Sequence, residues 1–137
     1  MTNSFNEFSR AKMFLVIGSN MVEAHPVAAT FVKNAVLKGA KLMVVDPRRH
    51  PLVDFAHRHV PIKVGSDIAF LNAVMRVLIK EDLYDRKFVG SCTVGFDALA
   101  EKVADYPPER AAEICGVDAD TIRETARELA SVKPAML

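Results

Sequence analysis

Three short stretches of this chain combine residue types suited to a phosphate-bearing ligand, and each follows an apolar run. The first is Gly18-Ser19-Asn20, followed by Glu23 and His25. The second is Asp46-Pro47-Arg48-Arg49 and the third is Gly65-Ser66-Asp67. Gly18 and Gly65 let backbone approach a ligand closely and tolerate a positive φ. Asp46 ends the second apolar run, where dinucleotide-binding folds place an acid against a ribose hydroxyl. Arg48 and Arg49 can neutralise phosphate or stack on a base. The Asp67 carboxylate matches the paired N1–H and amino donors of guanine. Helix starts near Pro26 and Ser66 would add unpaired N–H groups that attract phosphate. Each stretch also has a plain reading: a strand-to-loop turn, a turn initiator and a helix cap. Their recurrence after successive strands favours a nucleotide-binding α/β domain. The first loop is not G-x-G-x-x-G and no Walker A pattern occurs, so the usual dinucleotide and P-loop fingerprints are absent.

Little else in the chain suggests chemistry. His25, His50, His57 and His59 lack helical metal-ligand spacing and read as solvated or packed side chains. Cys92 and Cys115 have no ligand-spaced partner and read as ordinary thiols. Glu101 and Asp105 read as surface charges on a helix. No nucleophile–base pair can be assigned, which leaves catalysis within this chain unsupported. Lys and Arg total 18 against 17 Asp and Glu, for a net charge of +1. That balance gives no reason to expect nucleic acid or an anionic membrane as partner. No apolar run approaches the roughly 20 residues of a membrane span, and the polar start has no signal core. A cytoplasmic location is the corresponding expectation.

The elements that must carry these loops are legible from periodicity. Met13–Ile17 is an uninterrupted apolar run, as in a parallel strand covered on both faces. Pro26 suits the first turn of a helix, Ala28, Phe31, Val32 and Ala35 recur at helical spacing, and Gly39 ends it. Leu42–Val45 is a second buried strand, completing a right-handed strand–helix–strand unit. A short helix is expected over Pro51–Ala56 and a third strand over Val60–Val64. Ser66 or Asp67 caps the next helix, whose stripe reads Ile68, Leu71, Met75 and Leu78, with Ile79 alongside. Helices follow over Phe96–Val103, Pro108–Ile114 and Ala119–Val132, the last with Ile122, Ala126 and Leu129 inward. Pro134–Leu137 begins a further strand, and Thr2–Arg10 is a short helix or an irregular lead-in. At 137 residues the expectation is a single domain over 1–137 of class α/β. Its form is Rossmann-like, a three-layer α/β/α arrangement with a mostly parallel sheet and a helical C-terminal part.

Several words of the sequence carry a resemblance. They are Met1-Thr2-Asn3-Ser4, Phe14-Leu-Val-Ile-Gly-Ser-Asn20, Glu23-Ala-His-Pro26 and Gly39-Ala-Lys-Leu-Met-Val-Val-Asp-Pro-Arg-Arg49. Gly65-Ser-Asp67, Leu71-Asn-Ala73, Leu83-Tyr-Asp85, Phe88-Val89 and Gly95-Phe96 continue the series. The chain resembles the molybdopterin oxidoreductase family over nearly its whole length, and within it the formate dehydrogenase alpha subunits. The resemblance implies a domain that grips one molybdopterin guanine dinucleotide of a molybdenum or tungsten cofactor. Carried over by position, Gly18, Ser19, Asn20 and Glu23 would line its first loop. Asp46, Pro47 and Arg48 would surround the guanosine, and Gly65 and Asp67 would close the site. The family's iron–sulfur cysteines and its metal-ligating cysteine or selenocysteine have no counterpart here. The expectation is therefore a piece of a larger formate-oxidising subunit, holding no cofactor and inactive alone. Its partners would be the parent's other domains and iron–sulfur subunits. Self-association through a face those domains would cover is a further expectation. The alternatives are a stand-alone module for NAD or a guanine nucleotide, and an interaction domain whose loops are only turns.

Overall fold

The computed structural model describes residues 4–137, the Phe5 side chain excepted. They divide into two compact units. One runs up to Ile62 and takes back Val132–Leu137; the other is Lys63–Ser131.

The first unit holds a four-stranded parallel sheet. Strand β1 covers Met13–Ile17, β2 Lys41–Val45, β3 Arg58–Val60 and β4 Ala135–Met136, in the spatial order β3-β2-β1-β4. Central strands covered on both faces must be apolar throughout. Leu42, Met43, Val44 and Val45 accordingly have no exposed surface. Burial of each such side chain contributes roughly 1.5–3 kcal/mol. The connection from β1 to β2 passes through α1 (Met21–Ala24) and α2 (Pro26–Leu37), with Pro26 in the first turn as its missing N–H predicts. Ala28, Ala29, Val32 and Ala35 are the buried face of α2. A 3-10 helix over Pro51–Phe55 links β2 to β3 and buries Leu52 and Val53. A second 3-10 helix spans Phe5–Arg10, where Ser4 Oγ accepts from the Asn6 N–H. The remainder of that expected opening element, Thr2 and Asn3, lies outside the described residues, as do the first three residues of the Met1–Ser4 word.

The third strand lies earlier than its expected span of Val60–Val64. Pro61 has no N–H to give a ladder, and the Ile62 N–H returns to Val60 O at 3.0 Å. The chain turns there, and the apolar residues Ile62 and Val64 fall after the strand.

The second unit is helical. Helix α3 (Asp67–Lys80) packs on α6 (Pro108–Cys115) and α7 (Ala119–Ser131), with α5 (Phe96–Val103) beside it. Its inward residues are Ala69, Phe70, Ala73, Val74 and Val77, not the expected Ile68-Leu71-Met75-Leu78 stripe, and Ile68 is 72% exposed. Alanines let neighbouring helices approach closely, and Phe70 fills the space between; a helix apolar on most sides does not announce that choice. On α7, Ile122 and Ala126 are buried as expected. A short helix α4 (Arg86–Cys92), absent from the sequence reading, starts where Asp85 accepts from the Phe88 N–H at 2.9 Å. Ser66 occupies the cap position of α3 without capping it, and its hydroxyl donates instead to Lys63 O at 2.5 Å. Gly116 ends α6 at φ +72°, and a Cβ there would stand 2.8 Å from the Lys63 side chain.

Candidate functional site

All four strands run in one direction, so their carboxyl ends share one edge of the sheet. The strand order 3-2-1-4 reverses between β1 and β4, and such reversals open the crevice in which α/β sheets bind ligands. Strand β4 pairs only with Met13 and Phe14, leaving the upper part of β1 without a neighbour on that side. A cavity of about 240 Å³ lies there, its lining including Val16, Ile17, Ser19, Met21, Val32 and Met136.

The first expected loop leaves β1 at this point. Gly18 turns with φ +58°, in the left-handed region that favours glycine, and its N–H donates to Val45 O at 3.0 Å. That bond ties the first loop directly to the tip of β2, where the second loop begins. Ser19 and Asn20 are half-buried. Asn20 stands at the start of α1 but does not cap it, and its buried Oδ1 has no donor. A buried acceptor without a partner is uncommon and calls for one. Glu23 is exposed in the first turn of α1.

Asp46 differs from a freely presented ribose ligand. Its residue is only 4% exposed, and Oδ1 accepts the Arg48 N–H at 2.8 Å, which closes a tight turn over Pro47. The turn leaves Pro47 exposed and holds the Arg48 side chain 74% exposed, with its Nε 3.9 Å from Asp46 Oδ1. Arg49 is paired with Asp54 at 2.8 Å. Two histidines that the sequence reading treated as ordinary packed or solvated residues surround Asp46. The His59 ring bonds the Asp46 carbonyl through Nε2 at 2.9 Å, and His50 is buried 3.9 Å from Asp46 Oδ2. The spacing Asp46–His50, followed by Pro51 at the start of a 3-10 turn, is the local signal that could have drawn attention to them.

The third loop belongs to the helical unit. Gly65 turns with φ +79° in the open, and Asp67 is the half-buried first residue of α3. The first two loops are thus joined by a hydrogen bond, while Gly65 and Asp67 are positioned by a separate set of packing contacts. Both cysteines are free; burial pushes the Cys115 thiol up, and the thiol donates to Ser66 O at 3.5 Å. Among the described residues no group of three or more His, Cys, Asp or Glu could hold a metal ion, and no helix is long and apolar enough to cross a membrane.

Formate dehydrogenase H of Escherichia coli (strain K12) is 42% identical over 137 residues, covering 100% of this chain and 19% of that protein. The F420-dependent formate dehydrogenase subunit alpha of Methanocaldococcus jannaschii is 42% identical over 127 residues, covering 93% of this chain and 19% of its own length. The solved acetylene hydratase from Pelobacter acetylenicus superposes with a TM-score of 0.86 at 38% identity, over 93% of this chain and 18% of that one. The chain therefore spans about a fifth of the length of the curated relatives it matches. A family model described as molybdopterin oxidoreductase matches residues 1–136, and with these likenesses in sequence and fold the chain belongs to that family.

Proposed function

We propose that this chain grips the guanosine end of a molybdopterin guanine dinucleotide within a formate-oxidising enzyme. The observation that carries the reading is the Gly18–Val45 hydrogen bond, which fastens two ligand-capable loops together beside the reversal of strand order. The residues fit such a group. Gly18 offers bare backbone, Asn20 holds a buried acceptor in search of a donor, and Arg48 carries an exposed cation. Ser19 lies within the first loop and Glu23 follows it, while Pro47 and the buried Asp46 shape the second. Arg48 neutralises phosphate; Asn20 accepts from the nucleoside; Asp46 acts chiefly by holding the Arg48 turn. Gly65 and Asp67 of the helical unit would recognise the nucleotide as well, a role that their separate substitution tests.

The metal–pterin group, when bound, supplies the two-electron chemistry that converts formate to carbon dioxide and a proton. This chain's residues would bind and orient the nucleotide arm only, and the chain alone would turn over no formate. The formate reading rests on the two formate dehydrogenase relatives at 42% identity. Electrons would leave through iron–sulfur centres of the parent and its partner subunits, in the cytoplasm. Calorimetric titration of this chain with GDP and with NADH tests the nucleotide class. GDP binding with at least about a tenfold preference over NADH, roughly 1.4 kcal/mol, is expected. A preference for NADH would favour a free-standing dinucleotide module, and indifference to both would leave the loops as turns.

A further inference from the structure

The Asp46 loop contains a buried polar group that the proposed ligand contacts do not use. The His50 side chain is 4% exposed, and both of its ring nitrogens are sealed from solvent without a hydrogen-bond partner. Buried polar atoms are nearly always paired, so an imidazole lacking both partners is exceptional. Its Nε2 lies 3.9 Å from Asp46 Oδ2, roughly 1 Å beyond a hydrogen bond. The surrounding bonds fix the proton positions of the neighbouring histidines. His59 Nε2 faces the Asp46 carbonyl and His57 Nδ1 faces the Leu42 carbonyl, and a carbonyl only accepts. Both rings must therefore donate. His50 faces a carboxylate oxygen, which also only accepts, while Asp46 Oδ1 is already held by the Arg48 N–H.

We infer that His50 is the positioning residue of the Asp46 carboxylate, its Nε2–H directed at Oδ2 and closing on it as the nucleotide engages the loop. One carboxylate oxygen is then fixed by the backbone of Arg48 and the other by His50. His59 fixes the carbonyl of the same residue. With every acceptor of Asp46 restrained, the turn has one shape and delivers the Arg48 guanidinium to the strand tips, where it meets the phosphate of a nucleoside diphosphate. This inference rests on the cradle proposed above only in its last step; the approach of His50 Nε2 to Asp46 Oδ2, at 3.9 Å, is present without ligand.

Ring-nitrogen NMR of the ligand-free chain, at a pH where imidazole is neutral, tests the coupling. The wild type should show His50 as the Nε2–H tautomer. Asp46→Asn keeps an oxygen for the Arg48 N–H but turns an amide donor toward the ring, and should switch His50 to the Nδ1–H tautomer. An unchanged tautomer in Asp46→Asn would overturn the inference, whether or not GDP binds. In GDP titrations, His50→Phe should weaken binding about tenfold, as for one lost hydrogen bond to a charged group, and His50→Gln should restore most of it. A His50→Phe chain that melts like the wild type and binds GDP equally well would overturn it too. If the wild type binds no GDP, the nucleotide reading fails while the tautomer switch still decides the role of His50.

Discussion

Replacing Asn20 by alanine should move stability and ligand affinity in opposite directions. The side chain stands at the N-cap position of α1 but makes no capping bond, so the usual N-cap loss does not apply. Its Oδ1 is buried and has no donor. An unmet buried acceptor costs about 1–3 kcal/mol of desolvation, and alanine removes it. Against this stand a few lost van der Waals contacts of a half-buried side chain. The net effect on the free chain should lie between zero and about 1 kcal/mol of stabilisation. With GDP bound, the wild-type acceptor gains its partner, a bond of about 0.5–1.5 kcal/mol, so Asn20→Ala should weaken binding by roughly two- to twelvefold. Urea denaturation of the free chain and calorimetric titration with GDP measure the two quantities on the same samples. Loss of more than about 1 kcal/mol of stability with unchanged affinity would refute the reasoning, because it would make Asn20 a structural residue.

Three further outcomes follow from single features. Gly18→Ala forces an L-residue into φ +58°, and chemical denaturation should show a loss of about 1–2 kcal/mol, with Gly18→Asn less harmful. Glu81 sits just past α3 and receives two bonds from Arg127 of α7, at 2.8 and 2.9 Å, and these hold its carboxyl below the ordinary range. A carboxyl depressed in the folded state stabilises at pH above its unfolded value, and that contribution is lost as pH falls through the folded value. Glu81→Gln should therefore lower the melting temperature at neutral pH, with the difference from wild type vanishing in acid and shrinking in high salt; a pH-independent difference would point to packing instead. Phe88 of α4, Leu99 of α5 and the fully exposed Val94 between them present apolar surface, so sedimentation should detect concentration-dependent association that Phe88→Ser and Val94→Ser reduce.

Where one physical rule governed an element, the sequence alone was sufficient to locate it. Met13–Ile17 and the Leu42–Val45 run are apolar at every position, which only a doubly covered parallel strand requires, and both are strands of the central pair. Pro26 and Gly39 punctuate α2 for steric reasons that hold in any context. The inward face of α3 was not legible, because Ile68 and Ala69 are adjacent and both apolar. The choice between them depends on how closely α6 and α7 approach, a tertiary matter. Helix α4 was missed because Gly90, Ser91 and Thr93 weaken its periodicity, and only the Asp85 cap marks its start. The third strand ends at Val60 because Pro61, second in the expected span, removes a ladder donor, a signal present in the sequence.

The candidate site shows a sharper division. Residue types single out loops that could face a ligand, and the bond from Gly18 to Val45 ties the first of them to the strand end from which the second leaves. They did not predict how the work is divided inside the second loop. An aspartate at a strand tip can be read as a ribose acceptor, yet Asp46 places one oxygen on the Arg48 N–H and lies buried beside His50 and His59. The charged group left outside is Arg48, 74% exposed, and the turn beneath it fixes the backbone from which its guanidinium extends. A cation on a flexible stem loses conformational freedom when it binds phosphate, and a preset turn lowers that cost. On the proposed reading the acid contributes through the geometry it imposes on the arginine. Substituting Arg48 should weaken nucleotide binding directly, whereas substituting Asp46 should do so through the turn.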